Sequence, residues 1–139
     1  MAESLKTQIK NQKKILAVFG LGNVGGPIAA AWLRKGAKVI GVDISENLLE
    51  QIKNGTSHKI EPNISDTFSK SLKSSKLFLT SDGIEASRNS NIKFVAVPVG
   101  LKRNKIDLNS LLSAIKSIAK GLKKNDVVVI CPSLPPGTT

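Results

Sequence analysis

The chain has 139 residues, the length of one ordinary domain, and its hydrophobic content of 40% and mean hydropathy of −0.02 are typical of soluble globular proteins. No apolar run approaches the roughly 20 residues that cross a bilayer. The formal net charge of +11 favours polyanionic ligands, but the lysines are spread along the chain and aromatic residues make up only 4% of it. Few side chains can therefore stack on bases, and we expect neither a nucleic-acid nor a membrane partner.

The first fourteen residues are polar and basic, without the apolar stretch of a secretory signal, so we expect a cytoplasmic protein. We interpret residues 1–14 as a flexible arm and residues 15–139 as one domain. The single cysteine, Cys131, excludes an internal disulfide and suits a reducing compartment. Because Cys131 ends an apolar run, we expect it to be packed in the interior. His58, the only histidine, is interpreted as a loop residue, and no metal site is predicted.

Apolar runs alternate with helical patterns along the rest of the chain. Strands are predicted at Ile15–Gly20, Lys38–Asp43, Leu77–Thr80, Ile92–Val97 and Val127–Cys131. Helices are predicted at Val24–Lys35, from the cap Ser45 to Gly55, around Ile64, Phe68 and Leu72, at Ile84–Arg88, and along the apolar stripe from Leu108 to Leu122. This alternation predicts an α/β fold, a Rossmann-type doubly wound parallel sheet with helices on both faces.

The first predicted strand runs into the sequence Gly-Leu-Gly-Asn-Val-Gly-Gly-Pro, which begins at Gly20. In a dinucleotide-binding turn, the first glycine permits a tight bend, the second lets the backbone approach a pyrophosphate, and the third allows the helix to pack on the strand. Gly20, Gly22 and Gly25 have this spacing, and Pro27 fits the first helical turn. The amide groups that open the helix would face the phosphates. The motif predicts a bound adenine dinucleotide.

Asp43 supplies the acidic residue that such a motif requires. It ends the second predicted strand, 23 residues after Gly20, close to the roughly 20-residue spacing of a carboxylate that binds the ribose hydroxyls. A carboxylate would repel a 2′-phosphate, and the residues that follow, Ile44 and Ser45, carry no positive charge. We therefore predict NAD rather than NADP. The fold would bring the loops at Pro98–Gly100 and Pro132–Leu134 to the same edge of the sheet.

Six motifs in order extend this pattern over the chain from Ile15 to Thr139. They are Gly-Leu-Gly-Asn-Val-Gly-Gly-Pro, Gly-Val-Asp, Asn-Gly followed by Glu61-Pro62, Thr80-Ser81-Asp82, Ala96-Val97-Pro98 with Asp107-Leu108, and Leu134-Pro135-Pro136-Gly137-Thr138-Thr139. Together they resemble the N-terminal NAD-binding domain of the UDP-glucose/GDP-mannose dehydrogenase family. The resemblance implies an enzyme that oxidises the C6 alcohol of a nucleotide sugar to a carboxylate with two NAD⁺.

The resemblance also implies roles for particular residues. Gly20, Gly22, Asn23, Val24 and Gly25 would hold the pyrophosphate, Asp43 the adenosine ribose, Pro98 and Val99 the cofactor toward the nicotinamide, and Ser133 a catalytic water. Some positions depart from the family pattern. Val97-Pro98-Val99-Gly100 stands where the family has Val-Pro-Thr-Pro, so a hydroxyl beside the cofactor is lost.

Members of this family carry a catalytic cysteine, lysine and asparagine in a central helix and a C-terminal sugar-nucleotide domain that are absent from these residues. We therefore expect the chain by itself to bind NAD without turnover, and a homodimer only for the full protein. Two alternatives stay open from sequence. One is the NAD-binding domain of a β-hydroxyacid or 6-phosphogluconate-type dehydrogenase, and the other is a non-catalytic nucleotide-sensing module.

Overall fold

A computed structural model describes residues 2–58 and 61–139. The elements, in chain order, are α1 (Leu5–Lys10), β1 (Leu16–Phe19), α2 (Gly25–Arg34), β2 (Val39–Val42), α3 (Glu46–Lys53), α4 (Pro62–Lys73), β3 (Leu77–Thr80), α5 (Gly83–Arg88), β4 (Ile92–Val95), β5 (Gly100–Lys102), β6 (Lys105–Asp107), α6 (Asn109–Gly121) and β7 (Val127–Ile130). The predicted strands and helices are present, most of them shorter by one or two residues at their ends.

Five parallel strands form one sheet in the order β3-β2-β1-β4-β7. The strand order reverses between β1 and β4, because the chain first winds outward through β2 and β3 and then returns to the other side of β1. In open parallel sheets, ligands bind beyond the carboxyl ends of the strands at such a reversal. The predicted α/β Rossmann-type fold is confirmed, and it places the loops after β1 and β4 side by side.

Alternate residues of β1 face two separate cores. Leu16 and Val18 pack into a cluster with α1, α2, α3 and α4, whereas Ala17 and Phe19 pack into a second cluster with α5 and α6. Successive side chains of a strand point to opposite faces, so a strand covered on both sides is apolar throughout. This explains why the sequence of β1 shows no alternation of polar and apolar residues.

Within residues 1–14, which the sequence predicts to be a flexible arm, Leu5–Lys10 form helix α1. The hydroxyl of Ser4 caps the helix by accepting the N–H of Thr7. Ile9 is buried and joins the first core cluster, and Lys13 forms an ion pair with Glu3 at 2.7 Å. The sequence did not indicate this helix because the segment is hydrophilic. One buried apolar side chain and a helix cap are enough to dock a short helix.

A two-stranded antiparallel hairpin, β5–β6, was not predicted. Its turn residues Arg103 and Asn104 both have positive φ, 51° and 60°, as a type I′ turn requires. The turn lacks the Asn-Gly or Asp-Gly pair that usually signals such a hairpin. In the part of the chain that the structure describes, no helix is long and apolar enough to cross a membrane.

Candidate functional site

A cleft of about 750 Å³ opens at the carboxyl edge of the sheet, beside the reversal between β1 and β4. Most of the predicted site residues line this cleft, namely Gly20, Gly22, Asn23, Val24, Asp43, Pro98, Val99 and Ser133. They come from four loops that are far apart in sequence. Gly25 is the exception, since it is buried behind the loop and does not line the cleft.

The glycines of the β1–α2 loop meet three different steric demands. Gly20 has a φ of +88°, and a Cβ there would approach the carbonyl oxygen of Ala96 to 2.9 Å. A Cβ on Gly25 would lie 1.6 Å from the carbonyl oxygen of Gly20, so only glycine lets the helix start this close to the strand. A Cβ on Gly22 would meet no atom within 4 Å. Gly22 is therefore dispensable for packing, and its bare backbone faces the open cleft.

The amide groups of Gly22, Asn23, Val24 and Gly25 donate no hydrogen bond to any residue that the structure describes. Helical bonding begins with the N–H of Gly26, which donates to the carbonyl of Gly22 at 2.9 Å. No side chain caps this end of α2. Unpaired amides and the positive end of the helix dipole together favour an anion. The loop thus has the donors and the space that a pyrophosphate needs.

Asp43 follows β2 and lies half-buried at the cleft wall. Its Oδ2 accepts the backbone N–H of Leu21 at 2.9 Å, and its Oδ1 accepts that of Ser45 at 2.9 Å. These two bonds fix the orientation of the carboxylate beside the β1–α2 loop, residues 20–25, which we call the glycine loop. A carboxylate offers about four lone-pair positions, so acceptor capacity is left for the hydroxyls of a ligand.

The opposite wall of the cleft comes from the segments after β4 and β7. Pro98 is exposed, and Val99 packs against the second core cluster. Ser133 is exposed at the same edge. Pro98 and Val99 give this wall apolar surface, which suits a flat aromatic ring.

Cys131 is half-buried and lines the cleft, so the prediction that it packs in the interior is wrong in part. Cys131 directly follows β7, which ends at Ile130. Burial raises the pKa of the Cys131 thiol, and a weaker opposing effect of the Val95 backbone does not reverse it. Since the thiolate is the nucleophilic form, this environment does not activate the cysteine.

Sequence reasoning missed two contributors to the site. His58 was interpreted only as a loop residue, yet its imidazole lies against the glycine loop, with Nε2 at 2.9 Å from the carbonyl oxygen of Leu21. No local signal could have revealed this contact, because 37 residues separate the two positions. The serines of α6, Ser110, Ser113 and Ser117, also line the cleft. They occupy the side of that helix away from its predicted apolar stripe.

Comparisons with known proteins show the family to which the chain belongs. The model of the UDP-glucose/GDP-mannose dehydrogenase family, NAD binding domain, matches residues 14–139. The chain belongs to this family. It corresponds to the family's NAD-binding domain, and the resemblance noted from its motifs is confirmed.

Individual members of the family show the same likeness. UDP-N-acetyl-D-mannosamine dehydrogenase of Pyrococcus horikoshii is 35% identical over 124 residues, which are 89% of this chain and 29% of that protein. The solved UDP-D-ManNAc dehydrogenase from the same organism has a TM-score of 0.83 at 34% identity, covering 90% of this chain and 30% of that one. A ternary complex of GDP-mannose dehydrogenase from Pseudomonas aeruginosa has a TM-score of 0.81 at 28% identity, covering 88% and 29%. The chain thus spans less than a third of the length of each of these three relatives.

Proposed function

We propose that the cleft binds NAD with its pyrophosphate on the amide groups of Gly22, Asn23 and Val24. The observation that carries this proposal is that the loop has unpaired backbone N–H donors and open space beside Gly22. A Cβ at Gly22 would meet no atom within 4 Å. Gly20 and Gly25 shape the loop from behind, and Asn23 and Val24 contribute backbone rather than side-chain groups. A single phosphate-sized anion would already satisfy the helix end.

Asp43 would bind the adenosine ribose. Its carboxylate is held by two backbone amides and keeps free acceptor capacity toward the cleft. A 2′-phosphate would place like charge against it, and the adjacent Ile44 and Ser45 offer no cation to compensate. This arrangement favours NAD over NADP.

The other end of the cofactor would extend along Pro98 and Val99, with the hydroxyl of Ser133 available to bind a water molecule. NAD, when bound, supplies the hydride acceptor. The chain's own residues would bind and orient it, and Pro98 and Val99 would offer apolar surface to the nicotinamide ring.

We further propose that the whole protein is a nucleotide-sugar 6-dehydrogenase that acts on a UDP- or GDP-sugar in the cytoplasm. Relatives are named for UDP-N-acetyl-D-mannosamine and GDP-mannose. Oxidation of a C6 alcohol to a carboxylate transfers two hydrides to two NAD⁺ and takes one oxygen atom from water. The 139 residues hold one cysteine, whose thiol is not activated, so they bind cofactor without turnover by themselves. A homodimer would belong to the full protein.

Calorimetry with NADH and NADPH tests the cofactor proposal directly. We expect saturable binding of NADH by the 139-residue chain and weaker binding of NADPH. In parallel, absorbance at 340 nm is followed with NAD⁺ and either UDP-N-acetyl-D-mannosamine or GDP-mannose, and we expect no change. Absence of NADH binding would overturn the cofactor assignment, whereas appreciable turnover would overturn only the statement that the chain is inactive by itself.

A further inference from the structure

His58 lies after α3 in a backbone conformation that few side chains adopt, with a φ of 52°. Its ring is half-buried and stands edge-on to the ring of Phe68, 5.6 Å between centroids at 82°. Phe68 itself is buried in the first core cluster on α4. The imidazole is therefore held between the core and the glycine loop by its surroundings on both sides.

The polar contact of this ring is with the backbone of the glycine loop. Nε2 lies 2.9 Å from the carbonyl oxygen of Leu21 and 3.4 Å from that of Gly22. Carbonyl oxygens only accept, so Nε2 carries a proton and donates it. Room for the ring depends on Gly26, where a Cβ would come within 2.3 Å of Nε2. Among the described residues Nδ1 has no hydrogen-bond partner, so the polar contacts of the ring are made through Nε2.

This contact fixes one peptide unit in particular. The carbonyl of Leu21 and the N–H of Gly22 belong to the same trans peptide, in which the two groups point in opposite directions. Holding the carbonyl toward His58 therefore turns the Gly22 N–H away from the ring, on the side of the loop that faces the cleft. The preceding peptide is fixed as well, because the N–H of Leu21 donates to Asp43. No other described residue donates to the Leu21 carbonyl.

We propose that His58 is a positioning residue for the cofactor pyrophosphate: its Nε2–H anchors the Leu21 carbonyl, and so presents the Gly22 amide to the phosphates without touching them. The inference rests on the proposed NAD site and adds to it a residue from outside the glycine loop. Preorganising an amide removes the cost of turning it when the anion binds.

The tautomer of His58 gives a first test that needs no substitution. The chain contains one histidine, so a long-range ¹H–¹⁵N spectrum of the labelled protein has a single imidazole to assign. We expect the neutral Nε2–H form, with a ring proton that exchanges slowly with water. A ring protonated only at Nδ1 would overturn the proposal, because that tautomer cannot donate to Leu21.

A pair of substitutions tests the consequence for binding. His58→Gln keeps an N–H donor near the position of Nε2, whereas His58→Leu removes it at similar size. We expect His58→Leu to weaken NADH and ADP-ribose about tenfold while adenosine, which lacks phosphate, changes less than about twofold, and His58→Gln to stay within about threefold of the parent. Ser57→Ala is the matched control, because Ser57 is buried in the same turn and its hydroxyl has no described partner.

The outcomes separate this inference from the proposal on which it rests. If the parent chain binds no NADH, the NAD site itself is wrong and the role of His58 falls with it. If the parent binds and His58→Leu binds equally well, only the role of His58 is overturned. Equal loss for adenosine and ADP-ribose would also overturn it, since that pattern indicates general distortion. Should His58→Leu fail to fold, the tautomer and the affinity of His58→Gln still decide.

Discussion

The carboxylate of Asp43 accepts the backbone N–H of Leu21 at 2.9 Å, which ties the end of β2 to the loop that follows β1. Its second oxygen accepts the N–H of Ser45, the residue that caps α3. One side chain therefore links two adjacent strand ends and the start of a helix. The residue proposed to bind the ribose is also part of the framework that shapes the glycine loop.

Replacing Asp43 tests this double role. In Asp43→Ala we expect NADH to bind at least about tenfold more weakly, because hydrogen bonds to a charged group contribute about 1.5–3 kcal/mol each. The preference for NADH over NADPH should narrow, since the charge that opposes the 2′-phosphate is gone. Calorimetry with both nucleotides measures the two effects.

The matched control for Asp43 is Asp66→Asn, which makes the same change of charge at an exposed position on α4. It should leave both affinities unchanged, so a loss shared by the two variants would indicate net charge rather than a ribose contact. Unaltered NADH affinity in Asp43→Ala would contradict the proposed role outright.

Alanine at position 22 should impair NADH binding, whereas alanine at position 25 should impair folding. Gly22→Ala should fold with nearly parental stability, because its Cβ meets nothing within 4 Å, yet it should lose at least about tenfold in NADH affinity as the methyl group enters the phosphate site. Gly25→Ala should be destabilised by about 3 kcal/mol or more, because its Cβ would overlap the Gly20 carbonyl. Urea unfolding and calorimetry on both variants check this, and normal NADH binding by a well-folded Gly22→Ala would argue against the site.

A fully buried ion pair joins Lys93 on β4 to Asp126 just before β7, at the opposite edge of the sheet from the cleft. The Lys93 ammonium also donates to the Ser90 carbonyl at 2.8 Å, and Asp126 accepts the backbone N–H of Lys123 at 2.9 Å. Removing one partner leaves an uncompensated buried charge, so Lys93→Met should lower the free energy of unfolding by about 3–5 kcal/mol. The affinity of the folded variant for NADH should equal that of the parent.

The double variant Lys93→Met with Asp126→Asn tests whether the two charges stabilise the protein as a pair. Because both charges are then absent, much of the stability lost in Lys93→Met should return. Urea unfolding of the parent, the single variants Lys93→Met and Asp126→Asn, and the double variant gives the coupling energy. Strict additivity of the two single effects would show that the two groups do not depend on each other.

The same pair predicts how stability varies at acid pH. Burial by itself raises the pKa of the Asp126 carboxyl, but hydrogen bonds from the Lys93 ammonium and the Lys123 backbone outweigh it, and the pKa lies below its ordinary value of 3.8. The unfolded chain therefore binds a proton at higher pH than the folded protein does. This contribution is present above about pH 5 and is lost as the pH falls below 4 and through the folded pKa.

Urea unfolding of the parent and the double variant at pH 7, 5, 4 and 3 measures this effect. The difference in unfolding free energy between the two proteins should shift against the parent as the pH falls through this range. A difference that stays constant down to pH 3 would mean that Asp126 titrates normally in the folded state.

Much of the sheet could be predicted because its signals are local. Each parallel strand is a short, mostly apolar run bounded by glycine, proline or a polar turn, and the helices show apolar residues at helical spacing. The position of Asp43 beside the β1–α2 loop could be predicted for the same reason, since its distance from Gly20 along the chain is set by one β-α-β unit. Helix α1 was missed because Ile9 is its only buried residue and the segment around it is basic.

Other features exist only once the chain has folded. Lys93 lies in a strand that is otherwise apolar, and only the packing of β4 beside Asp126 accounts for a buried lysine there. His58 and Leu21 meet because the His58 ring packs against Phe68 of α4 on one side and reaches the loop before α2 on the other. Neither contact leaves a pattern of spacing, since each joins residues from separate elements.

The sequence by itself determined the fold class, the glycine loop and the acidic residue beside it, because backbone sterics and the periodicity of strands and helices act over a few residues. Only the tertiary structure decided which carbonyl the lone histidine holds, which lysine is buried and which glycine is free of packing. These depend on distances between elements, and such distances are fixed by the packing of the two cores around β1.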